Sequence, residues 1–170
     1  MKNFALAVVG VAIFAVFMFA FIGAKSVNKG YLRIHIRANS NSEQDQEVKY
    51  AVKESVSELL TSLVADVTDA PQAMSIVNAN LEKINNAADN TLKQHGFYYG
   101  AKTKLCEEYF PTRSYDDLVL KNGLYDALII ELGEGKGDNW WCVVYPPLCF
   151  KNNNGKNEIK SVFEGIIKKK

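Results

Sequence analysis

From Tyr31 to Ala38 apolar and polar positions alternate, with Leu32, Ile34, Ile36 and Ala38 on one side and Arg33, His35 and Arg37 on the other. A period of two is that of a strand with one buried face. Asn39-Ser40-Asn41-Ser42 then reads as a polar turn, and Ser42 followed by Asp45 resembles a capping box with Asp in place of the usual Glu or Gln. Glu43, Asp45 and Glu47 put negative charge where a helix dipole favours it. The period changes to that of a helix at this point. Val48, Val52, Val56, Leu59, Leu60 and Leu63 form one stripe, ending near Val67 and ahead of Asp69-Ala70-Pro71. Pro71 suits the start of a second helix with Ile76, Val77, Leu81, Ile84, Ala88 and Leu92 on its apolar face and Gly96 as terminator.

Strand patterns return afterwards. Phe97 to Cys106 is aromatic and β-branched, and Phe110-Pro111-Thr112 breaks it. Leu124 to Leu132 is apolar on both faces, as a central strand would be. Gly133 to Asn139 is a loop leading into a Trp140-Trp141 strand, which Pro146 and Pro147 end because neither can donate to a ladder. The last two strands are expected to form an antiparallel hairpin, and the first to reach the other three through the helix pair. The fold class is therefore α+β: a four-stranded, mainly antiparallel sheet covered on one face by a two-helix hairpin.

Both ends lie outside this pattern. Phe4 to Ile22 is nineteen residues without charge or proline, long enough to cross a bilayer as a helix. Its length favours an uncleaved anchor, while Ala24-Lys25-Ser26 offers a cleavage site after Ser26. Residues 1–26 are thus a signal sequence or membrane anchor, and Lys2 marks the short N-terminus as cytoplasmic with the larger part exported. Residues 27–150 make one domain. Residues 151–170 are a polar linker followed by an amphipathic helix, with Ile159, Val162, Phe163, Ile166 and Ile167 on one stripe ahead of Lys168-Lys169-Lys170. Without Lys2 and Lys25 the exported part carries 18 basic against 19 acidic groups, which leaves no basic excess for nucleic acid.

Chemistry-bearing residues are few. Gly133-x-Gly135-x-Gly137 lacks the following helix that would aim amides at a phosphate, so it reads as a loop. His35, Cys142 and Cys149 are the material for a thiol nucleophile or metal site. A mid-strand Cys142 is poorly placed for an activated thiolate, and Cys-x6-Cys with one distant His is not zinc spacing. No catalytic residue, metal or cofactor is assigned. Cys142 and Cys149 are either a disulfide across the proline corner or two packed thiols, with Cys106 the odd cysteine. Asn39 and Ser40 serve the turn and the helix terminus, and with His35 they form a polar cluster at the strand end. One of the two tryptophans should face the helices, and the other is a candidate partner anchor.

These residues resemble a known family. Ile34-His35-Ile36-x-Ala38-Asn39-Ser40-x-Ser42-x-x-Asp45-Gln46, Phe110-Pro111-Thr112-x-x-Tyr115, Gly123-x-Tyr125-x-Ala127-Leu128 and the block from Gly133 through Asn139-Trp140-Trp141-Cys142-Val143-x-x-Pro146-Pro147-Leu148-Cys149-Phe150 are similar to the stage II sporulation protein R family. Cys106 and the basic tail fall outside these motifs. The resemblance implies a signalling protein of endospore-forming bacteria, made in the forespore and exported into the space between the two septal membranes. Its implied partner is a membrane-embedded aspartic protease of the mother cell that trims the sigma-E precursor, and its implied action is non-enzymatic. The candidate contact residues are Trp140, Trp141, His35, Asn39 and Phe150. The alternatives are an extracytoplasmic hydrolase using Cys142 with His35, and a non-catalytic envelope-binding module.

Overall fold

A computed structural model describes residues 27–115 and 118–148. The apolar run Phe4 to Ile22, the tail beyond residue 150, and Cys149 and Phe150 lie outside the described residues. Among those described, no helix is long and apolar enough to cross a membrane.

The elements are β1 (Val27–Arg37), α1 (Glu43–Leu63), α2 (Ala70–Ala79), α3 (Leu81–Gln94), β2 (Ala101–Phe110), β3 (Arg113–Tyr115), β4 (Leu118–Leu120), β5 (Gly123–Leu132) and β6 (Asn139–Tyr145). The architecture is α+β, with three helices over a four-stranded sheet of order β2-β5-β1-β6, and β3 and β4 forming a separate two-stranded ribbon. The sheet is mixed. β1 runs parallel to β5 and antiparallel to β6, and β2 runs antiparallel to β5.

The expected β5–β6 hairpin does not form, because β1 lies between the two strands. Six loop residues, Gly133 to Asp138, step across the width of that strand, roughly 10 Å from one neighbour to the other. The end of β1 binds the loop as it crosses: Gly137 N–H donates to Ala38 O (2.8 Å), Lys136 N–H to Asn39 O (3.2 Å), and Ala38 N–H to Asp138 O (3.5 Å). A Cβ on Gly137 would sit 2.1 Å from the Ser40 carbonyl oxygen, so only glycine lets the two backbones approach this closely.

The helical layer also differs from expectation. The second helix is broken at Asn80 into α2 and α3, so three helices cover the sheet instead of a two-helix hairpin. Asn80 Nδ2 donates to Ile76 O (2.8 Å) and its backbone N–H to Val77 O (3.1 Å), closing α2 just where Ile84 N–H takes Asn80 O (3.0 Å) to open α3. A short polar side chain that bonds the preceding turn competes with helix continuation, and here it wins. α1 stops at Leu63, a few residues before the expected Val67, with Val64 N–H on Leu60 O. Its start is as read: Ser42 Oγ accepts from Asp45 N–H. Gly96, at φ +80°, ends α3 in a Schellman turn, with Gly96 N–H on Lys93 O and Phe97 N–H on Leu92 O. The chain leaves that turn as coil, so the next strand begins at Ala101 and runs to Phe110 instead of spanning Phe97 to Cys106. Phe97 and Tyr99 meet the core from the loop.

The core sits between helices and sheet. Leu32, Ile34 and Ile36 of β1, Leu128, Ile130 and Leu132 of β5, and Cys142 and Val144 of β6 face Val48, Val52, Val56, Leu60, Ile84, Ala88 and Leu92. The opposite sheet face is covered as well, which the simple alternation of β1 did not foresee. Arg33 is fully buried and His35 is 4% exposed, beside a second cluster of Phe110, Tyr125, Ala127 and Ile129 with Tyr31, Cys106 and Trp141 packed against it.

Candidate functional site

Strand alternation assembles this second face. β1 supplies Arg33, His35 and Arg37. β2 supplies Glu108 and Phe110, β5 supplies Tyr125, Ala127 and Ile129, and β6 supplies Trp141 in register with His35. The β3–β4 ribbon lays two side chains over it: the Arg113 guanidinium lies 4.3 Å from the Trp141 ring, and Tyr115 OH accepts from Arg33 Nη2 at 2.7 Å.

Two layers result. The first is a charge network. His35 Nδ1 and Glu108 Oε1 are 3.1 Å apart, Arg37 bridges Glu108 and Glu131 (2.7 Å to the latter), and Lys104 Nζ lies 3.4 Å from Glu131. The second is a stack of rings and cations. Trp141 stacks on His35 at 5.3 Å between centroids, His35 meets the edge of Phe110 at 6.0 Å, and Arg33 lies 4.1 Å from Phe110 and 4.9 Å from Tyr125. Cation–π contact of this kind is strongest where water is excluded. Burial pushes the pKa of both Arg33 and His35 below their ordinary values. Asn139 adds a polar interaction to the His35 ring that falls short of hydrogen-bond geometry, so Nε2 has no hydrogen-bond partner among the described residues. Arg33 Nε and Nη1 and Glu108 Oε2 are in the same position.

The expected contact residues separate. Trp141 and His35 come together on this face. Trp140 lies on the other side, packed against the helix-side core with Lys53 Nζ 5.8 Å from its ring. Asn39 is at the far end of β1 and is committed to the fold: Oδ1 accepts Glu134 N–H (3.0 Å) and Nδ2 donates to Asp45 Oδ2 (2.9 Å). Asp45 also accepts from Ser40 Oγ and Tyr99 OH. Burial alone would raise its pKa, but those bonds outweigh it and hold the carboxyl below its usual range. Phe150 and Cys149 are not among the described residues, so a Cys142–Cys149 bridge stays an expectation.

The Cys142–His35 hydrolase has no geometric basis. Cys142 pairs with Ile34 and joins the helix-side core, whereas His35 pairs with Trp141 on the opposite face, so the sheet itself separates the Cys142 sulfur from the imidazole. Cys106 does share the His35 face, but burial and then Glu108 push its pKa up, contrary to what an activated thiolate needs. Among the described residues no three His, Cys, Asp or Glu side chains converge to hold a metal ion.

Sequence reasoning missed Arg33, Glu108 and Arg113 as members of the site. The available signal was an Arg-x-His-x-Arg strand face, whose cations call for carboxylates from a neighbouring strand, together with Glu107-Glu108 downstream.

The family model for stage II sporulation protein R matches residues 28–155, which takes in every element described above but the first residue of β1. The chain belongs to the stage II sporulation protein R family. Stage II sporulation protein R of Bacillus subtilis (strain 168) is 35% identical over 129 residues, covering 76% of this chain and 58% of that protein. The chain thus matches somewhat over half the length of its relative. No solved structure matches. In stage II sporulation protein R terms, the matched stretch begins with β1 and contains both sheet faces, so the Trp141 face and the Asp45 tie both lie within the family's shared region.

Proposed function

We propose that this protein is a non-catalytic sporulation signal. It is exported through or held by its N-terminal segment into the space between the forespore and mother-cell membranes. There it contacts a membrane-embedded aspartic protease of the mother cell that processes the sigma-E precursor. Membership of the stage II sporulation protein R family supports the sporulation role. The observation that carries the contact is Trp141. Its half-buried indole is held between His35 and Arg113, away from the helix-side core. A pre-ordered, partly exposed Trp held between an imidazole and a guanidinium is the type of residue that dominates binding interfaces. Activation by contact needs only tighter binding to the protease's active state than to its inactive one.

The test is precursor processing in sporulating cells carrying Trp140→Ala or Trp141→Ala, with thermal unfolding of each purified protein beside it. Trp141→Ala should stop processing while the protein still unfolds cooperatively. Trp140→Ala should act chiefly by lowering the melting temperature. Processing at the normal rate with Trp141→Ala would defeat the proposal.

A further inference from the structure

Of the cations on the Trp141 face, those in the charge network are answered. Arg37 has Glu108 and Glu131, and Lys104 has Glu131. Arg33 and Arg113 are different. Neither has a carboxylate within ion-pair distance among the described residues, and Arg33 is fully buried with Nε and Nη1 unbonded. A buried charge is normally paired, because leaving it unpaired costs several kcal/mol of lost hydration. The ribbon makes matters worse by setting a second guanidinium close by. Arg113 stands on Trp141 while Tyr115, two residues along, holds Arg33, and the two cations repel enough to help lower the pKa of Arg33 after burial. Aromatic walls from Phe110, Tyr125 and Trp141 surround the two charges. The assembly is a pair of oriented donors with its counter-charge missing.

We infer that Arg33 and Arg113 form a receptor for a carboxylate on an acidic segment of the protein partner. This rests on the reading of the Trp141 face as the signalling contact and gives that contact its chemistry. The extent of the unanswered charge selects a protein over a membrane. Only two guanidiniums are unanswered among the described residues, and Arg33 is fully buried behind the half-buried Arg113, so a single projecting Asp or Glu side chain suits the pair where a flat array of lipid phosphates does not. A carboxylate bound there gains charge-assisted hydrogen bonds in a site whose inner wall, at Arg33, is already stripped of water.

The experiment uses the full-length chain in zwitterionic micelles with Trp140→Phe, so that indole emission reports Trp141 alone. The probe is an acetylated, amidated tetra-glutamate peptide. A saturable emission change that weakens with salt, falls at least tenfold in affinity in Arg113→Gln and disappears in Arg33→Met is the expected result. Arg113→Gln keeps the test open if Arg33→Met fails to fold. The inference is overturned if there is no saturable change, if a tetra-lysine peptide responds equally, if both variants bind as well as the parent, or if phosphatidylglycerol vesicles compete better than the peptide. Binding that emerges only after Asp116→Asn and Asp117→Asn also overturns it, since the receptor would then be filled from within the chain. Cells separate the two readings. If Trp141→Ala stops processing and the peptide does not bind, this inference fails and the signalling face stands. If the peptide binds as expected and Arg113→Gln cells process normally, the receptor stands and the signalling role of the face fails.

Discussion

Asp45→Asn probes the tie that joins the end of β1, the start of α1 and the Tyr99 loop. Asp45 is 5% exposed, and its Oδ2 accepts from Ser40 Oγ and Asn39 Nδ2 while Oδ1 accepts from Tyr99 OH. An asparagine can keep its oxygen toward Ser40 and Asn39 and turn its amide toward Tyr99, whose hydroxyl can accept. The Tyr99 hydroxyl proton loses its acceptor but can turn to water from a half-buried ring, so the loss is mainly that of charge. A hydrogen bond to a charged group contributes about 1.5–3 kcal/mol and a neutral one about 0.5–1.5, so losing charge at two bonds costs roughly 2 kcal/mol, with a little more for turning Tyr99. For a domain of this size that lowers the melting temperature by roughly 8–10 °C. The pH dependence supplies the check. The folded-state pKa of Asp45 is depressed, so its contribution is fully present above the ordinary carboxylate value of about 3.9 and is lost as pH falls through the folded value. Melting curves of parent and variant, followed by circular dichroism, should differ by this amount at pH 7 and by less at about pH 3, below the ordinary carboxylate value. An equal gap at both pH values, or no gap at pH 7, refutes the reasoning.

Other substitutions test neighbouring steps. Gly137→Ala should cost roughly 3 kcal/mol in urea unfolding, since its Cβ meets the Ser40 carbonyl at 2.1 Å and the loop can retreat only by giving up its bonds to β1. A cost under about 0.5 kcal/mol would mean that the loop crosses β1 loosely. If Cys142 and Cys149 are bridged, alkylation of the denatured protein should label one thiol without reductant, Cys106, and three with it, as read by mass spectrometry. Three labels without reductant would exclude the bridge. Asp45→Ala should cost more than Asp45→Asn, about 4 kcal/mol, because Ser40, Asn39 and Tyr99 then all point at an empty site.

Local signals were legible where one short stretch of chain decides the outcome. Ser42 caps α1, Pro71 stands in the first turn of α2, Gly96 ends α3, and Pro146 follows the last residue of β6. Errors arose where distant segments decide. No pattern in β5 or β6 says that a strand made about 100 residues earlier will sit between them, because apolar-on-both-faces fits either neighbour. The second face was misread for a related reason. Arg33 looked solvent-bound because guanidinium is polar, yet its flat faces pack against Phe110 and Tyr125, supplied by other strands and invisible to a local period. The ribbon of three-residue strands is too short for any alternation to register. His35 and Trp141 were noticed for their residue types, whereas their stacking follows from the β1–β6 register.

The position of β1 carries a consequence for timing. It is the earliest of the described strands, yet both its neighbours, β5 and β6, are the last of them to be made, with Arg33 opposite Ala127 on one side and Val143 on the other. Such long-range pairing makes folding slow and all-or-none. On the proposed export, with the short N-terminus kept on the cytoplasmic side, β1 would cross early and stay without neighbours until β5 and β6 had followed it. The Trp141–His35 stack, built across that same pairing, would come into being only with the final strand. On the proposed signalling role, a truncated or half-delivered molecule would be silent, and the message would be sent only once delivery was complete.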